Sequence, residues 1–236
     1  MLMLAIERSH REPGWALFRD AVCVLEARGS AEPSRAPDWI ARLAAALDAA
    51  GVAPAEIGRF AVGLGPGSFS GIRSGVAACQ GLALPGGRPL AGVSSAAALA
   101  FAAASTGNPT VPVAVVGDAR RDRLWCAVYA LDPGTRRLLV LTGGQSRVPA
   151  HTADDFMLTG WDHLARLLPP DAQVLSPDWE RIGAGLAGRV PAERLAAGPR
   201  FPTAPDVARL LLADPAAARA EPIPIYLHPA VAGVAA

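Results

Sequence analysis

The sequence predicts an α/β fold of two lobes built on a duplicated βββαβα plan, and three observations carry that reading. Short apolar runs of strand type alternate with longer amphipathic runs through the first half, in the order βββαβαβα. After Asn108-Pro109 a second three-strand meander repeats the opening. Between the fourth strand and the second helix lies a glycine-rich junction, Gly63 to Gly75, with four glycines in nine residues from Gly63 to Gly71.

In order, Met1 to Ile6, Trp15 to Phe18 and Val22 to Glu26 read as strands, with Glu12-Pro13-Gly14 as the first turn. Asp38 is placed to cap a helix through Ala50, which puts Ile40, Leu43, Ala44 and Leu47 on one face. Phe60 to Val62 is the strand before the junction, and Ile72 to Leu84, free of proline, is the helix after it. Leu90 to Val93 is a strand, and Ser95 to Ala104 an alanine-rich helix. The second lobe begins with Val111 to Val116, Leu124 to Leu131 and Arg137 to Leu141, the last two joined by the turn Asp132-Pro133-Gly134-Thr135. A helix near Asp206 to Leu212 and a strand from Ile223 to Leu227 complete it. The expected division is 1–107 and 108–236.

At 51% hydrophobic and 18% charged residues, the chain can bury a large core, and a formal net charge of +1 gives no field able to hold a nucleic acid by itself. RNA, if it is involved, needs another subunit to bind it. The opening Met1 to Ile6 is too short for a secretory h-region and has no basic segment before it. Pro85, Arg88 and Pro89 interrupt the best apolar run, so a cytoplasmic protein without membrane contact is expected. Cys23, Cys79 and Cys126 are odd in number and widely spaced, and read as reduced packing residues.

The glycine junction can be tested against known chemistries. Free amides at a helix N-terminus make it a candidate anion site, with Ser68 or Ser70 as cap. A phosphate-binding P-loop needs Gly-Lys-Ser/Thr, and all 22 basic residues are Arg. A dinucleotide fingerprint needs an acid about 20 residues on, and no Asp or Glu lies between Glu56 and Asp118. A nucleophile elbow needs a central serine, and Phe69 stands between Gly67 and Gly71. Beyond the loop, Gly71, Gly75 and Cys79 recur at four-residue spacing, with Ala77 and Gly81 beside them. Such a ridge admits another helix closely: a core helix of the same chain, or a partner subunit.

The remaining chemistry is sparse. His10, His151, His163 and His228 have irregular gaps without His-x-x-x-His or His-Glu-x-x-His, so no metal site is expected. Asp154-Asp155 reads as a helix N-terminus, Arg120, Arg121 and Arg123 around Asp122 as a solvated turn, and Trp39, Trp161 and Trp179 as anchors of a core or interface.

The junction Gly63-Leu64-Gly65-Pro66-Gly67-Ser68-Phe69-Ser70-Gly71-Ile72-Arg73-Ser74-Gly75, its helix closing at Gly81-Leu82-Ala83, and Gly92-Val93-Ser94-Ser95 resemble the TsaB (YeaZ) family of tRNA threonylcarbamoyladenosine synthesis, also named as glycoprotease or peptidase M22-like. Asp118-Ala119-Arg120 with Leu124 to Tyr129, Pro202-Thr203-Ala204, and Pro224-Ile225-Tyr226-Leu227 continue the resemblance in order. The resemblance implies the actin-like ATPase (ASKHA, ribonuclease H-like) fold. It also implies a non-catalytic scaffold that pairs through its first lobe with a TsaD transferase subunit. The partner-binding residues would be Gly67, Ser68, Phe69, Gly71, Ile72, Arg73, Gly75, Val76 and Cys79, with Ile40, Leu43 and Leu47. A TsaE-like ATPase would dock on that pair, the isolated chain would form a homodimer, and tRNA would be met only through the complex. In the superfamily the turns after the first strands of each lobe clasp nucleotide phosphates, which makes Glu7, Arg8, Asp118 and Arg120 a vestigial phosphate-loop set; an arginine is expected to intrude there. The family has Asp-Thr where this chain has Glu7-Arg8, and Arg where it has His228. No tightly bound cofactor is expected, with ATP or ADP the ligand to test, and an active ATPase or small kinase of the superfamily is the alternative reading. Leu158-Thr159-Gly160-Trp161 is a partial match to an adenosine-side glycine pair. Neither a nucleophile-base-acid order nor a metal motif supports a peptidase.

Overall fold

The computed structural model describes residues 1–29, 39–142, 146–215 and 218–227. Strands β1 (Leu2–Glu7), β2 (Gly14–Arg19) and β3 (Val22–Arg28) form an antiparallel meander, and β4 (Ile57–Gly63) and β5 (Leu90–Val93) add parallel strands on the other side of β1. The sheet order is β3-β2-β1-β4-β5. Position in that order explains the sequence pattern. Every side chain of central β1 is buried, so its run is apolar on both faces until Glu7. Edge strand β3 alternates exposed and half-buried positions.

Helix α1 (Trp39–Ala49) precedes β4, α2 (Phe69–Ala83) follows it, and α3 (Ser95–Thr106) follows β5. Helix α2 starts three residues before the sequence-based boundary because Ser68 caps it, its Oγ accepting from the Gly71 amide at 3.2 Å. The Asp38 cap foreseen for α1 lies outside the described residues. Helix α3 is apolar all round because it is packed between the lobes, touching the strands Val113–Arg120 and Arg123–Leu131 on one side and the helix Ala204–Ala213 on the other.

The second sheet holds β6 (Val113–Arg120), β7 (Arg123–Leu131), β8 (Leu138–Val140) and β10 (Gln173–Leu175) in the order β10-β6-β7-β8. Here β10 lies parallel to β6 as β4 lies parallel to β1, which is the repeat the meanders announced. Strand β9 (Met157–Thr159), not foreseen, pairs with the start of β7. Helices α4 (Trp161–Leu167) and α5 (Trp179–Ala187) close the outer face over Val116, Cys126 and Val128.

The C-terminal part departs from the sequence reading. Helix α6 (Ala204–Ala213), expected within the second lobe, packs against β1, β2, β4 and α3, so the first lobe is completed by residues from the end of the chain. The strand expected over Ile223 to Leu227 does not form. Pro222 and Pro224 offer no amide to a ladder, and the stretch is held instead by the Ile225 amide donating to the Leu64 carbonyl at 2.9 Å. Among the described residues no helix is long and apolar enough to cross a membrane.

Candidate functional site

The glycine junction is organised by the β1–β2 hairpin lying on it. A Cβ at Gly67 would collide with the Ser9 carbonyl and one at Gly71 with the Arg8 carbonyl, so these glycines let two backbones touch. The amides foreseen as an anion cradle are largely committed: Ser68 N–H donates to the Ser9 carbonyl at 2.7 Å, Gly71 N–H to Ser68 Oγ, and Gly65 N–H to Ser95 Oγ at 3.0 Å. That is a correction with a simple cause. The hairpin occupies the space an anion would need.

Glu7 and Arg8 depart from the expected phosphate-loop role in the same way. Glu7 is buried, with Oε1 accepting from the Ser9 amide and Oε2 from the Ser95 hydroxyl, both at 2.6 Å. Burial pushes its carboxyl up, and those hydrogen bonds pull the other way. It braces hairpin, glycine loop and the start of α3 together. Arg8 turns away from the cleft, its guanidinium 4.3 Å from the Trp39 ring at the start of α1 and its Nε donating to Ser74 Oγ of α2 at 3.0 Å. It brackets the two helices rather than intruding on a phosphate position.

A cleft of about 1020 Å³ lies between the lobes, lined on one side by Ser9, His10, Arg11 and Gly67 to Phe69, and on the other by Asp118 to Arg120, Asp178, Glu180 and Arg181. Asp118 and Arg120 therefore do reach it. Their charges are satisfied within the protein: Asp118 Oδ2 meets Arg120 at 3.3 Å and Arg181 at 3.5 Å, its Oδ1 accepts from the Arg120 amide, and Asp178 accepts from the Asp118 amide. Arg11 pairs with Glu180 across the lobes. His10, dismissed on spacing grounds, lines the cleft with Nδ1 2.8 Å from Ser9 Oγ and a buried Nε2 without a hydrogen-bond partner among the described residues. Desolvation lowers its pKa to about 4, against the attraction of Asp178. No group of three or more metal-ligating side chains occurs among the described residues.

These groups do not fit the magnesium nucleotide that the superfamily implies. Asp118 and Glu180 are held by arginines, Arg11, Arg120 and Arg181 by those carboxylates, and Glu7 and Arg8 are engaged within the first lobe.

The expected partner-binding residues divide between two environments. Ile72, Gly75, Val76 and Cys79 of α2 are buried against their own sheet, with Cys79 Sγ facing the Ala61 carbonyl. Leu43 and Leu47 of α1 are buried too. The Gly71-Gly75-Cys79 ridge is thus the same-chain packing ridge, the first of the two alternatives its spacing allowed. Gly67, Ser68, Phe69 and Arg73 are exposed, as is Ile40, and so is the neighbouring pair Ala77 and Gly81. Every exposed large hydrophobic residue among those described, Met1, Val22, Val24, Ile40, Phe69, Leu84, Ile223 and Tyr226, lies on the first lobe or on the C-terminal stretch.

Two further features escaped sequence reasoning. Asp154 and Asp155 do lie in a short helical turn, Ala153–Asp155, capped by Thr152, but Asp155 has a further role: it is buried, paired with Arg147 at 2.6 Å, and accepts from the Ala150 and His151 amides. His151, from the second half, is buried with Nδ1 accepting from the Ser94 amide at 3.1 Å, and burial lowers its pKa to about 4. It ties residue 151 to the N-cap of α3 in the neutral form, with the proton on Nε2. Trp161 and Trp179 are packing anchors, set over Gly185 and Gly183 respectively. Arg120, Arg121 and Asp122 at the β6–β7 tip all take positive φ, and His228 lies outside the described residues.

A family model described as "TsaD: tRNA N6-adenosine threonylcarbamoyltransferase" matches residues 38–174, more than half of the chain. The tRNA threonylcarbamoyladenosine biosynthesis protein TsaB of Escherichia coli (strain K12) is 37% identical over 86 residues. That alignment spans 36% of this chain and 37% of the relative, little more than a third of its length. The structure of YeaZ from Pseudomonas aeruginosa superposes with a TM-score of 0.71 at 24% identity, covering 95% of this chain and 100% of that one. A second structure, described as an uncharacterized protein with similarity to peptidase YEAZ from Pseudomonas aeruginosa, gives 0.71 at 23% identity, covering 96% and 99%. The two-lobed α/β fold expected from the sequence is the fold these structures share.

Proposed function

The chain belongs to the family described as tRNA N6-adenosine threonylcarbamoyltransferase (TsaD), within it to the TsaB (YeaZ) group, and from that premise we propose that it is a non-catalytic subunit of threonylcarbamoyladenosine biosynthesis. It pairs through its first lobe with a TsaD-like transferase subunit and supports that subunit's active conformation. A TsaE-like ATPase docks on the pair, tRNA is met only through the assembly, and the isolated chain self-associates through overlapping surface in the cytoplasm.

One observation carries this reading: the exposed apolar side chains gather on the first lobe, where α2 presents Ala77 and Gly81 between Arg73 and Leu84. Small residues at four-residue spacing let a partner helix approach closely. This face replaces the buried Gly75 ridge as the proposed contact. The ion-paired cleft supports the non-catalytic part, since Asp118, Glu180, Arg11, Arg120 and Arg181, the charged groups that face each other across it, are committed to one another. The alternative, a divergent ATPase or small kinase, draws on the volume of the same cleft.

Gly81 is exposed, and a Cβ there meets nothing within 4 Å, so Gly81→Trp directs its ring to solvent and tests the contact, with thermal unfolding as the control for the fold. The expected result is unchanged thermal unfolding and association with the TsaD-like subunit weakened by roughly tenfold or more. Unchanged association would remove the face from consideration.

A further inference from the structure

Arg73 stands apart from the other arginines of the cleft. Arg11, Arg120 and Arg181 are each paired with a carboxylate, whereas Arg73 has no ion pair among the described residues. Among the described residues its one hydrogen bond runs from Nε to the Tyr226 hydroxyl at 2.8 Å. Its guanidinium carbon lies 3.9 Å from the Phe69 ring centroid and 5.8 Å from that of Tyr226, and the two rings are 5.3 Å apart. The guanidinium is therefore held by one face and by its Nε edge. Its two terminal nitrogens have no hydrogen-bond partner among the described residues.

The clamp joins the start of α2 to the C-terminal stretch. Phe69 and Arg73 share a face of α2 because they are four residues apart at its start. Tyr226 arrives because its neighbour Ile225 is buried and donates its amide to Leu64, at the base of the same junction. With Pro222 and Pro224 stiffening the approach, Tyr226 is set over the first turn of α2.

We propose that Arg73, clamped between Phe69 and Tyr226, is the anchor that receives an aspartate or glutamate side chain of the partner subunit in a bidentate contact at the mouth of the cleft. The inference rests on the partner-binding role proposed above. A planar guanidinium already immobilised by stacking loses little further freedom on binding, and its fork matches a carboxylate as an ammonium cannot. The position favours a protein carboxylate over a free phosphate. Arg73 continues the exposed line of Ala77 and Gly81, its ring neighbours are Phe69 and Tyr226, and the cationic groups that would share a phosphate are committed elsewhere.

The test compares the full-length wild type with Arg73→Lys, Arg73→Ala and Tyr226→Phe. Association with the TsaD-like subunit is measured by calorimetry, with thermal unfolding as the control for folding. Lys keeps the charge but loses the fork and the stacking, so the expected loss is roughly tenfold or more for Lys, close to that for Ala, with a smaller loss, about threefold, for Phe. Binding of Arg73→Lys within about twofold of wild type would overturn the clamp while leaving the partner role intact. Failure of the wild type to bind the subunit would overturn both. The clamp is also overturned if Arg73→Ala changes only ATP or inorganic phosphate binding, or only self-association measured by sedimentation.

Discussion

The Glu7 carboxylate accepts a hydrogen bond from the Ser95 hydroxyl across 88 residues of sequence, and that hydroxyl in turn accepts from the Gly65 amide. One buried acid thus fixes the end of β1, the glycine loop and the start of α3. Gly63 completes the arrangement, since a Cβ there would collide with the Glu7 carboxylate. Glu7→Ala leaves the Ser9 amide and the Ser95 hydroxyl without their acceptor, and is expected to cost about 3 kcal/mol of stability in urea denaturation. Glu7→Gln, which keeps one acceptor oxygen, should cost less than half as much. Equal losses for the two variants would show that packing, not hydrogen bonding, is the role of this side chain.

Gly75 separates packing from partner contact. An added methyl would lie 3.5 Å from Ile6 Cγ2 and 3.6 Å from Val62 Cγ2, ordinary contact distances. Gly75→Ala is therefore expected to be neutral, or to stabilise by up to about 1 kcal/mol through helix propensity. Gly75→Leu overpacks the same space and should destabilise by roughly 1–3 kcal/mol. The thermal midpoint of each variant decides whether this position acts through the fold.

How far the sequence carried this reading depends on the range of the forces involved. Strand meanders and the α2 cap, narrowed to Ser68 or Ser70, rest on local patterns, and local patterns are legible, whereas β10 and its parallel pairing with β6 were not foreseen. The inward ridge of α2 was visible as spacing, but spacing does not say which face of a helix meets its own sheet. The roles of Glu7, Asp155 and His151 depend on partners that folding brings from elsewhere, from Ser95, Arg147 and Ser94. The return of α6 and Tyr226 to the first lobe is a long-range event of the same kind. A signal was present in the two prolines around Ile223, which argue against a paired strand.

Acid should weaken the protein through its buried histidines. Burial lowers the pKa of His151 to about 4 in the folded chain, against the ordinary 6.5 of a histidine, so between those values the unfolded chain takes up a proton that the folded chain refuses. Stability from this residue is complete above pH 6.5 and falls as the pH drops towards 4. Between pH 7 and pH 5 the loss from His151 is about 2 kcal/mol. His10 acts in the same direction, while the raised carboxyls of Glu7 and Asp206 favour the folded state on acidification and offset part of the loss. The difference between wild type and His151→Gln isolates the one residue. Gln can accept from the Ser94 amide without titrating, so its unfolding free energy should fall less over this range. Parallel curves would show that His151 is protonated in the folded state.

The cleft yields the last prediction, on nucleotide. For a metal-bridged nucleotide to bind, Asp118 would have to release Arg120 and Arg181, and the Arg11–Glu180 pair across the mouth would have to open. Each release exposes a charge that is now compensated, so the metal gains little over the arginines it displaces. Calorimetric titration of the full chain with ATP should therefore give affinities with and without magnesium within about twofold of each other. Tightening by roughly tenfold or more on adding magnesium would mean that the ion pairs yield to the metal. The ATPase reading would then displace the scaffold, because an arginine network that opens for a metal is a closed catalytic site and not a sealed one.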